Sequence, residues 1–142
     1  MTVPEINWIA VILATLSTLI IGSVWYSKAV FGKRWIRLAK IDESNMGSAV
    51  GPIVVTIVVS FITALVLAGA AAIAQNFYGG NFLVNTLVTA VILWAGFTAA
   101  RVITHDAFER RPAGLTILTI GHELVTMLVM GLIIGLFGIS AA

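Results

Sequence analysis

The stretch VGPIVVTIVVSFITALVLAGAAAIAQ, residues 50–75, decides the fold because it is long, apolar and free of charged residues. A helix rises about 1.5 Å per residue, so this stretch is long enough to cross the roughly 30 Å hydrocarbon layer of a bilayer. Three further apolar runs have a similar length, at residues 7–27, 82–104 and 114–138. The whole chain is 60% hydrophobic and only 10% charged, whereas a soluble domain is nearer a quarter charged. The sequence therefore predicts an all-α polytopic membrane protein, a bundle of four transmembrane helices that forms a single domain over residues 1–142.

The basic residues predict how this bundle is oriented. All eight lysines and arginines lie in two regions. Five are between the first two spans, and three are at the end of the third span or in the loop after it. The N-terminus, the turn between the second and third spans and the C-terminus contain none. Because basic loops stay on the cytoplasmic side of a membrane, we expect both basic loops inside and both termini outside.

A short amphipathic helix is predicted on the membrane surface after the first span, at Val30–Ile41. Phe31, Trp35 and Leu38 share its apolar face, and such a helix lies in the plane of the interface. Anionic lipid is the expected partner of its basic face, which consists of Lys33, Arg34, Arg37 and Lys40. Aromatic residues near the span ends are expected to anchor the chain at the interfaces: Trp8, Trp25, Tyr26 and Trp35.

The fourth run contains an acidic residue, Glu123, at mid-depth in the membrane. Thr119, Glu123 and Thr126 follow helical spacing and share one face, which His122 borders. Ser60 lies on a similar polar stripe of the second span. Charged side chains within a bilayer normally face the interior of a bundle or a wet cavity. These residues are therefore candidates for a polar transport path.

The third run contains a candidate partner for the acidic residue. Arg101 and His105 follow helical spacing near the end of this run. Side chains lean toward the N-terminus of their own helix, so Arg101 and Glu123 are expected to lean toward each other and pair directly or through water. The alternatives are that Arg101 snorkels to the interface and that Glu123 is a neutral, structural carboxyl.

Small residues at helical spacing form ridges on the helix surface and predict close helix packing. We expect these ridges to pack within the chain and, in addition, between the chains of a homo-oligomer. The small residues are Ala10, Ala14 and Gly22 in the first run and Gly131 and Gly135 in the fourth. The chain has no cysteine, no H-E-x-x-H zinc motif, no nucleophile elbow and no phosphate-binding loop. We therefore expect no metal, no cofactor, no catalytic residue and no nucleic-acid partner, and we expect the protein not to be an enzyme.

Several short motifs together resemble a known family. They are Asn7-Trp8, Gly22, Trp25-Tyr26, Phe31-Gly32-Lys33, Trp35, Phe108, Arg111-Pro112 and Gly121-His122-Glu123-Leu124-Val125. This pattern resembles a bacterial family of small four-helix membrane proteins that is defined as a domain of unknown function. The resemblance covers essentially the whole chain. It implies the four-helix topology and a place in the bacterial inner membrane, and it implies no activity.

Two functional hypotheses follow from these residues. The favoured hypothesis is an oligomeric transporter or channel for an ion or small solute, with Glu123 and Arg101 as an intramembrane pair. The alternative is a non-transporting structural or accessory subunit of a membrane complex, in which the same pair would only fix the helix register.

Overall fold

The computed structural model describes residues 5–139, and all regular secondary structure in this part of the chain is helical. Four helices are long and apolar enough to cross a membrane: Trp8–Trp25, Val50–Tyr78, Phe82–Phe108 and Ala113–Phe137. We call them the first to fourth spans. They confirm the predicted all-α membrane fold, although the second and third spans continue three or four residues beyond the predicted ends at 75 and 104.

The four spans form a ring. The first packs against the second and the fourth, and the third packs against the same two, while the second and fourth touch only briefly across the middle. We call the end of the bundle where the second and fourth spans begin the basic end, because the lysines and arginines cluster there. The core lies mainly in the half away from the basic end. Its buried members are Ala10, Val11, Ala14, Ala64, Leu67, Ala68, Ala90, Met127, Met130 and Ile134.

Side-chain amides close the bundle at its opposite end. The Asn7 side chain accepts a hydrogen bond from the Ala10 N–H at 3.1 Å and donates one to the Phe137 carbonyl at 3.3 Å. It therefore caps the first span and joins it to the end of the fourth. In the turn between the second and third spans, the Asn85 amide donates to the Gln75 side chain at 2.5 Å. These bonds satisfy polar groups where the chain leaves the helices.

The helix after the first span is shorter than predicted and covers Gly32–Ala39. It lies against the start of the fourth span, where a Cβ on Gly114 would stand 3.2 Å from Leu38 Cδ1. The bend before it is tight, since a Cβ on Gly32 would stand 2.3 Å from the Tyr26 carbonyl oxygen. Only glycine allows the backbone to approach this closely, so Gly32 sets the angle at which the surface helix leaves the first span.

The bundle opens in its basic half. Residues 51–59 of the second span are all exposed. This part of the span makes no more than marginal contact with the last turns of the third span. The two ring neighbours therefore separate toward the basic end, which leaves a cavity between the spans.

Close packing of the third and fourth spans depends on Gly135. A Cβ at this position would stand 2.6 Å from Leu83 Cδ1 and 2.9 Å from Leu83 Cα. Because the Cα is backbone, the helices themselves would have to shift. We expect Gly135→Ala to lower the free energy of unfolding in detergent micelles by about 1–3 kcal/mol, the usual cost of overpacking.

Gly69→Ala is the matched control. A Cβ on Gly69 meets nothing within 4 Å, and alanine is the better helix former. This variant should be as stable as the wild type or slightly more stable. Equal losses of stability in both variants would contradict the proposed close packing at Gly135.

Candidate functional site

A cavity of about 370 Å³ lies between the first, second and fourth spans in the basic half. Its walls combine polar side chains with valines and methionines. The polar members are Thr18, Tyr26, Thr56, Ser60, Thr63, His122, Glu123 and Thr126. Of the residues predicted to line a polar path, four lie together here: Glu123, His122, Thr126 and Ser60. The cavity is therefore the polar centre of an otherwise apolar bundle.

His122 and Glu123 form an acid–imidazole pair in this cavity. Their closest atoms, Nδ1 and Oε1, are 3.3 Å apart. The carboxyl side chain is 40% exposed, and the imidazole is 14% exposed. Glu123 lies ten residues after Ala113, about 15 Å from the helix start. Consecutive residues on a helix usually point about 100° apart, so the imidazole bends back to reach the carboxylate beside it.

Aromatic rings surround the imidazole. The centroid of the His122 ring is 5.1 Å from that of Tyr26 and 5.9 Å from that of Trp25. Trp25 in turn packs on Phe31, and Tyr26 on Trp35, so three of the predicted interfacial anchors form one cluster around the histidine. The fourth, Trp8, is 55% exposed at the other end of the first span. The sequence did not reveal the cluster because aromatic residues near span ends are typical interface anchors.

Three buried polar atoms at or beside the cavity have no hydrogen-bond partner within the described residues. They are Trp25 Nε1, His122 Nε2 and Thr126 Oγ1. The imidazole atom points toward Gly22, where an added Cβ would stand 3.8 Å away. A buried polar atom without a partner costs about 1–3 kcal/mol. The polarity of this region is thus greater than the packing of the bundle requires.

A second, apolar groove of about 360 Å³ adjoins the polar cavity between the second and third spans. The two share Thr63 and Met127 as wall residues. The other walls of the groove are Ile62, Val66, Leu93, Phe97 and Thr98. Phe97 is 75% exposed, so the groove opens sideways, in the direction of the lipid chains.

A π-helical segment interrupts the third span at Trp94–Ala99. Trp94 faces the fourth span, where its indole N–H donates to the Ile120 carbonyl at 2.9 Å. A π-turn holds one residue more than the α-turn it replaces. Regular spacing from Trp94 would place Thr98 and His105 on the packed face. The buried residues are instead Ala99 and Asp106, one position later in each case.

This one-residue shift corrects the predicted pairing of Arg101 with Glu123. Arg101 and His105 lie on the exposed face of the third span. Among residues 5–139, no carboxylate oxygen lies within 4.0 Å of the Arg101 guanidinium. The prediction assumed an unbroken α-helix, and the extra residue rotates everything beyond it by about 100°.

Other polar residues have structural positions. Thr119 lies outside the cavity, and its hydroxyl donates to the Leu115 carbonyl of its own helix at 3.1 Å. Asp106, which the sequence did not single out, is buried and accepts a hydrogen bond from the Thr116 hydroxyl at 2.7 Å. It joins the third and fourth spans at the basic end. Within residues 5–139, no three histidine, aspartate or glutamate side chains come together as metal ligands.

The register shift can be measured with cysteine pairs, because the chain has no cysteine of its own. We expect Asp106→Cys with Thr116→Cys to be joined readily by a short thiol crosslinker, since the two native side chains touch. The matched pair, His105→Cys with Thr116→Cys, should be joined much more slowly. The reverse order of reactivity would indicate a regular α-helix without the extra residue.

Comparison with known proteins identifies the family of this chain. The sequence model of a family described as "Protein of unknown function (DUF1761)" matches residues 9–135, a range that contains every residue of the polar cavity. No curated protein and no solved structure matches the chain. The match covers most of the chain and confirms the resemblance seen in the sequence motifs. The chain therefore belongs to the DUF1761 family of proteins of unknown function.

Proposed function

We propose that the protein is a transporter for a small solute and that the polar cavity is its binding site. The observation that carries this proposal is the position of the cavity. It contains a carboxylate about 15 Å from the start of the fourth span. Ionisable groups at such depth are costly and mark substrate or ion pathways in many membrane proteins.

The unequal packing of the two halves also supports transport. Toward the opposite end, the buried core closes the bundle with alanine, leucine and methionine side chains. Toward the basic end, the second span is exposed along residues 51–59. Alternating access requires a site that is open to one side and closed to the other, with one helical unit able to move against the rest. The basic half of the second span is the element best placed to move.

The last polar contact before the opening joins the first and second spans. The hydroxyls of Thr18 and Ser60 are 3.0 Å apart, at the wall of the cavity. Beyond this contact toward the basic end, the second span is fully exposed. In this proposal the Thr18–Ser60 contact is the pivot about which the exposed half opens and closes.

The distribution of basic residues predicts the side of the membrane to which the cavity opens. If the basic loops face the cytoplasm, both termini lie outside and the cavity is open on the cytoplasmic side of the bacterial inner membrane. The solute would then be bound from the inside in the described conformation.

Vesicle flux tests the role of Glu123. We expect Glu123→Gln to reduce the flux of the transported solute at least tenfold in reconstituted vesicles, because the amide removes the only acidic side chain that lines the cavity among residues 5–139. The panel would include protons, alkali ions, small amines, sugars and carboxylic acids. Glu5→Gln is the control, since Glu5 is exposed outside the cavity. The proposal fails if the wild type moves no member of the panel or if Glu123→Gln moves it equally fast.

A second candidate function, that of an accessory subunit, rests on a different observation. Arg101 lies seven residues before the end of the third span, about 10 Å inside it, and faces outward. An arginine on a lipid-facing surface within a span is costly unless its side chain reaches the interface or pairs with a carboxylate. Phe97 and His105 share its exposed face at helical spacing. A protein partner that brings a carboxylate to this face would remove the cost.

The mass of the complex extracted in mild detergent tests whether the exposed face around Arg101 is a protein interface. We expect the wild type to leave the membrane as a complex in mild detergent and Arg101→Ala to leave it mainly as single chains. Arg37→Ala is the matched control, because Arg37 is exposed on the surface helix and outside the spans. A complex of identical chains would favour an oligomeric transporter, and a stoichiometric second protein would favour the accessory subunit. A monomeric wild type would exclude this face as an interface.

A further inference from the structure

We propose that the cavity and the groove beside it bind a lipophilic monocation, a protonated amine that carries one apolar group. The inference rests on the proposed function, since it names the class of solute that the cavity would carry. Four features support it: the charge of the polar cavity, the acceptor hydroxyls of the second span, the aromatic ring of Tyr26 and the apolar groove beside the cavity.

The charge of the cavity favours a cation. Glu123 is the only acidic side chain among the residues that line either compartment, and no lysine or arginine lines them. The nearest polar neighbour of the Glu123 carboxylate is the His122 imidazole, whose Nδ1 is 3.3 Å from Oε1. The register shift of the third span keeps Arg101 on the outer face of that helix and away from this carboxylate. A single positive charge on the solute therefore balances the site.

Two hydroxyl groups on the second span present acceptors to a solute. The hydroxyl hydrogen of Thr56 is used by the Pro52 carbonyl, at 2.8 Å. That of Thr63 is used by the Val59 carbonyl, at 3.0 Å. Their oxygen lone pairs remain free, and the Glu123 carboxylate can only accept. A protonated amine brings up to three N–H donors, whereas a carboxylate or phosphate solute would meet the like charge of Glu123 and could accept hydrogens only from other hydroxyls, such as those of Ser60 and Thr126.

An aromatic face adds to the preference for a cation. The Tyr26 ring lies in the wall of the cavity beside His122. A cation over such a ring gains about 0.5–2 kcal/mol, with the larger values in desolvated sites. The ring and the carboxylate together give an ammonium group two favourable contacts that a neutral alcohol of the same shape would lack or make more weakly.

The apolar group of the solute fits the lateral groove. The groove and the polar cavity share Thr63 and Met127 as wall residues, and in this proposal one molecule occupies both compartments. Its remaining walls are almost entirely apolar, and exposed Phe97 stands at its mouth. Small-molecule sites usually measure about 300–1,000 Å³. The two compartments suit a solute with a small charged head and a body of one aromatic ring or a short alkyl chain.

Three ligands with the same body test this inference directly. They are 4-phenylbutylamine, 4-phenylbutanol and 4-phenylbutyrate, which at neutral pH are a cation, a neutral molecule and an anion. Each would be titrated calorimetrically into the full chain in lipid nanodiscs, with empty nanodiscs as the blank for partition into lipid. We expect the amine to bind at least tenfold more tightly than the alcohol and the carboxylate to bind most weakly. Equal binding of all three, a preference for the carboxylate, or no binding would overturn the inference.

Variants then locate the two ends of the ligand. Glu123→Gln should weaken binding of the amine at least tenfold and leave binding of the alcohol unchanged. Glu5→Gln should change the affinity for neither ligand. Phe97→Ala should weaken binding of 4-phenylbutylamine several-fold and leave binding of methylamine, which lacks a phenylalkyl group, unchanged. If Glu123→Gln does not fold, the ligand series on the wild type still decides the matter. Binding of sodium or potassium without any binding of the amine would point to an inorganic ion site and overturn the inference.

Binding and flux separate this inference from the proposed function. Amine binding without flux would support the ligand class and reject transport. Flux of another solute without amine binding would keep the transporter and reject the ligand class.

Discussion

Hydrocarbon offers no hydrogen-bond partner to a peptide group, and the rest of this structure depends on that constraint. It requires each crossing to be a helix whose backbone groups are satisfied internally. It also directs polar side chains back onto their own helices. Thr15 donates to the Val11 carbonyl at 2.8 Å, and Thr86 donates to the Phe82 carbonyl at 2.8 Å. Most polar residues of the spans are thereby made compatible with lipid or with a dry core. The residues that keep unused polar atoms are concentrated around one cavity.

The third span shows how one extra residue reorganises such a bundle. Before the π-segment, Thr86 and Ala90 face the core. After it, Ala99 and Asp106 are buried, one position later than an unbroken helix would have them. The indole of Trp94 compensates for the irregularity by bonding a backbone carbonyl of the fourth span. The same shift turns the Arg101 side chain outward and brings Asp106 to the Thr116 hydroxyl, from which it accepts a hydrogen bond. Two features with different consequences, an exposed arginine and a buried aspartate, thus have one geometric cause.

The sequence was sufficient for the membrane class, the number of spans and most of their ends, because these depend only on the length and polarity of each run. It also grouped Ser60, Glu123 and Thr126, which lie on regular helices where spacing gives the face directly. It failed for Arg101 and His105, because nothing in WAGFTA identifies a π-turn and a shift of one residue moves a side chain to another face. The role of Tyr26 was also hidden, since contact with His122 depends on how the first and fourth spans pack. Helix rotation and packing are long-range properties, and local patterns do not contain them.

The position of the cavity follows from how small and branched residues are distributed along the second span. In the half away from the basic end, alanines such as Ala64, Ala68 and Ala71 are buried and let the neighbouring helices approach. In the basic half, β-branched residues such as Val55 and Val59 take their place, and the helix stands free.

Helices in lipid associate through close packing, because lipid chains compete equally well for bulky apolar side chains. The ring of spans therefore closes where the alanines are and separates where the valines are. The same division of small and branched residues that produces a stable core also leaves room beside Glu123. The cavity is thus a direct consequence of the composition of the second span.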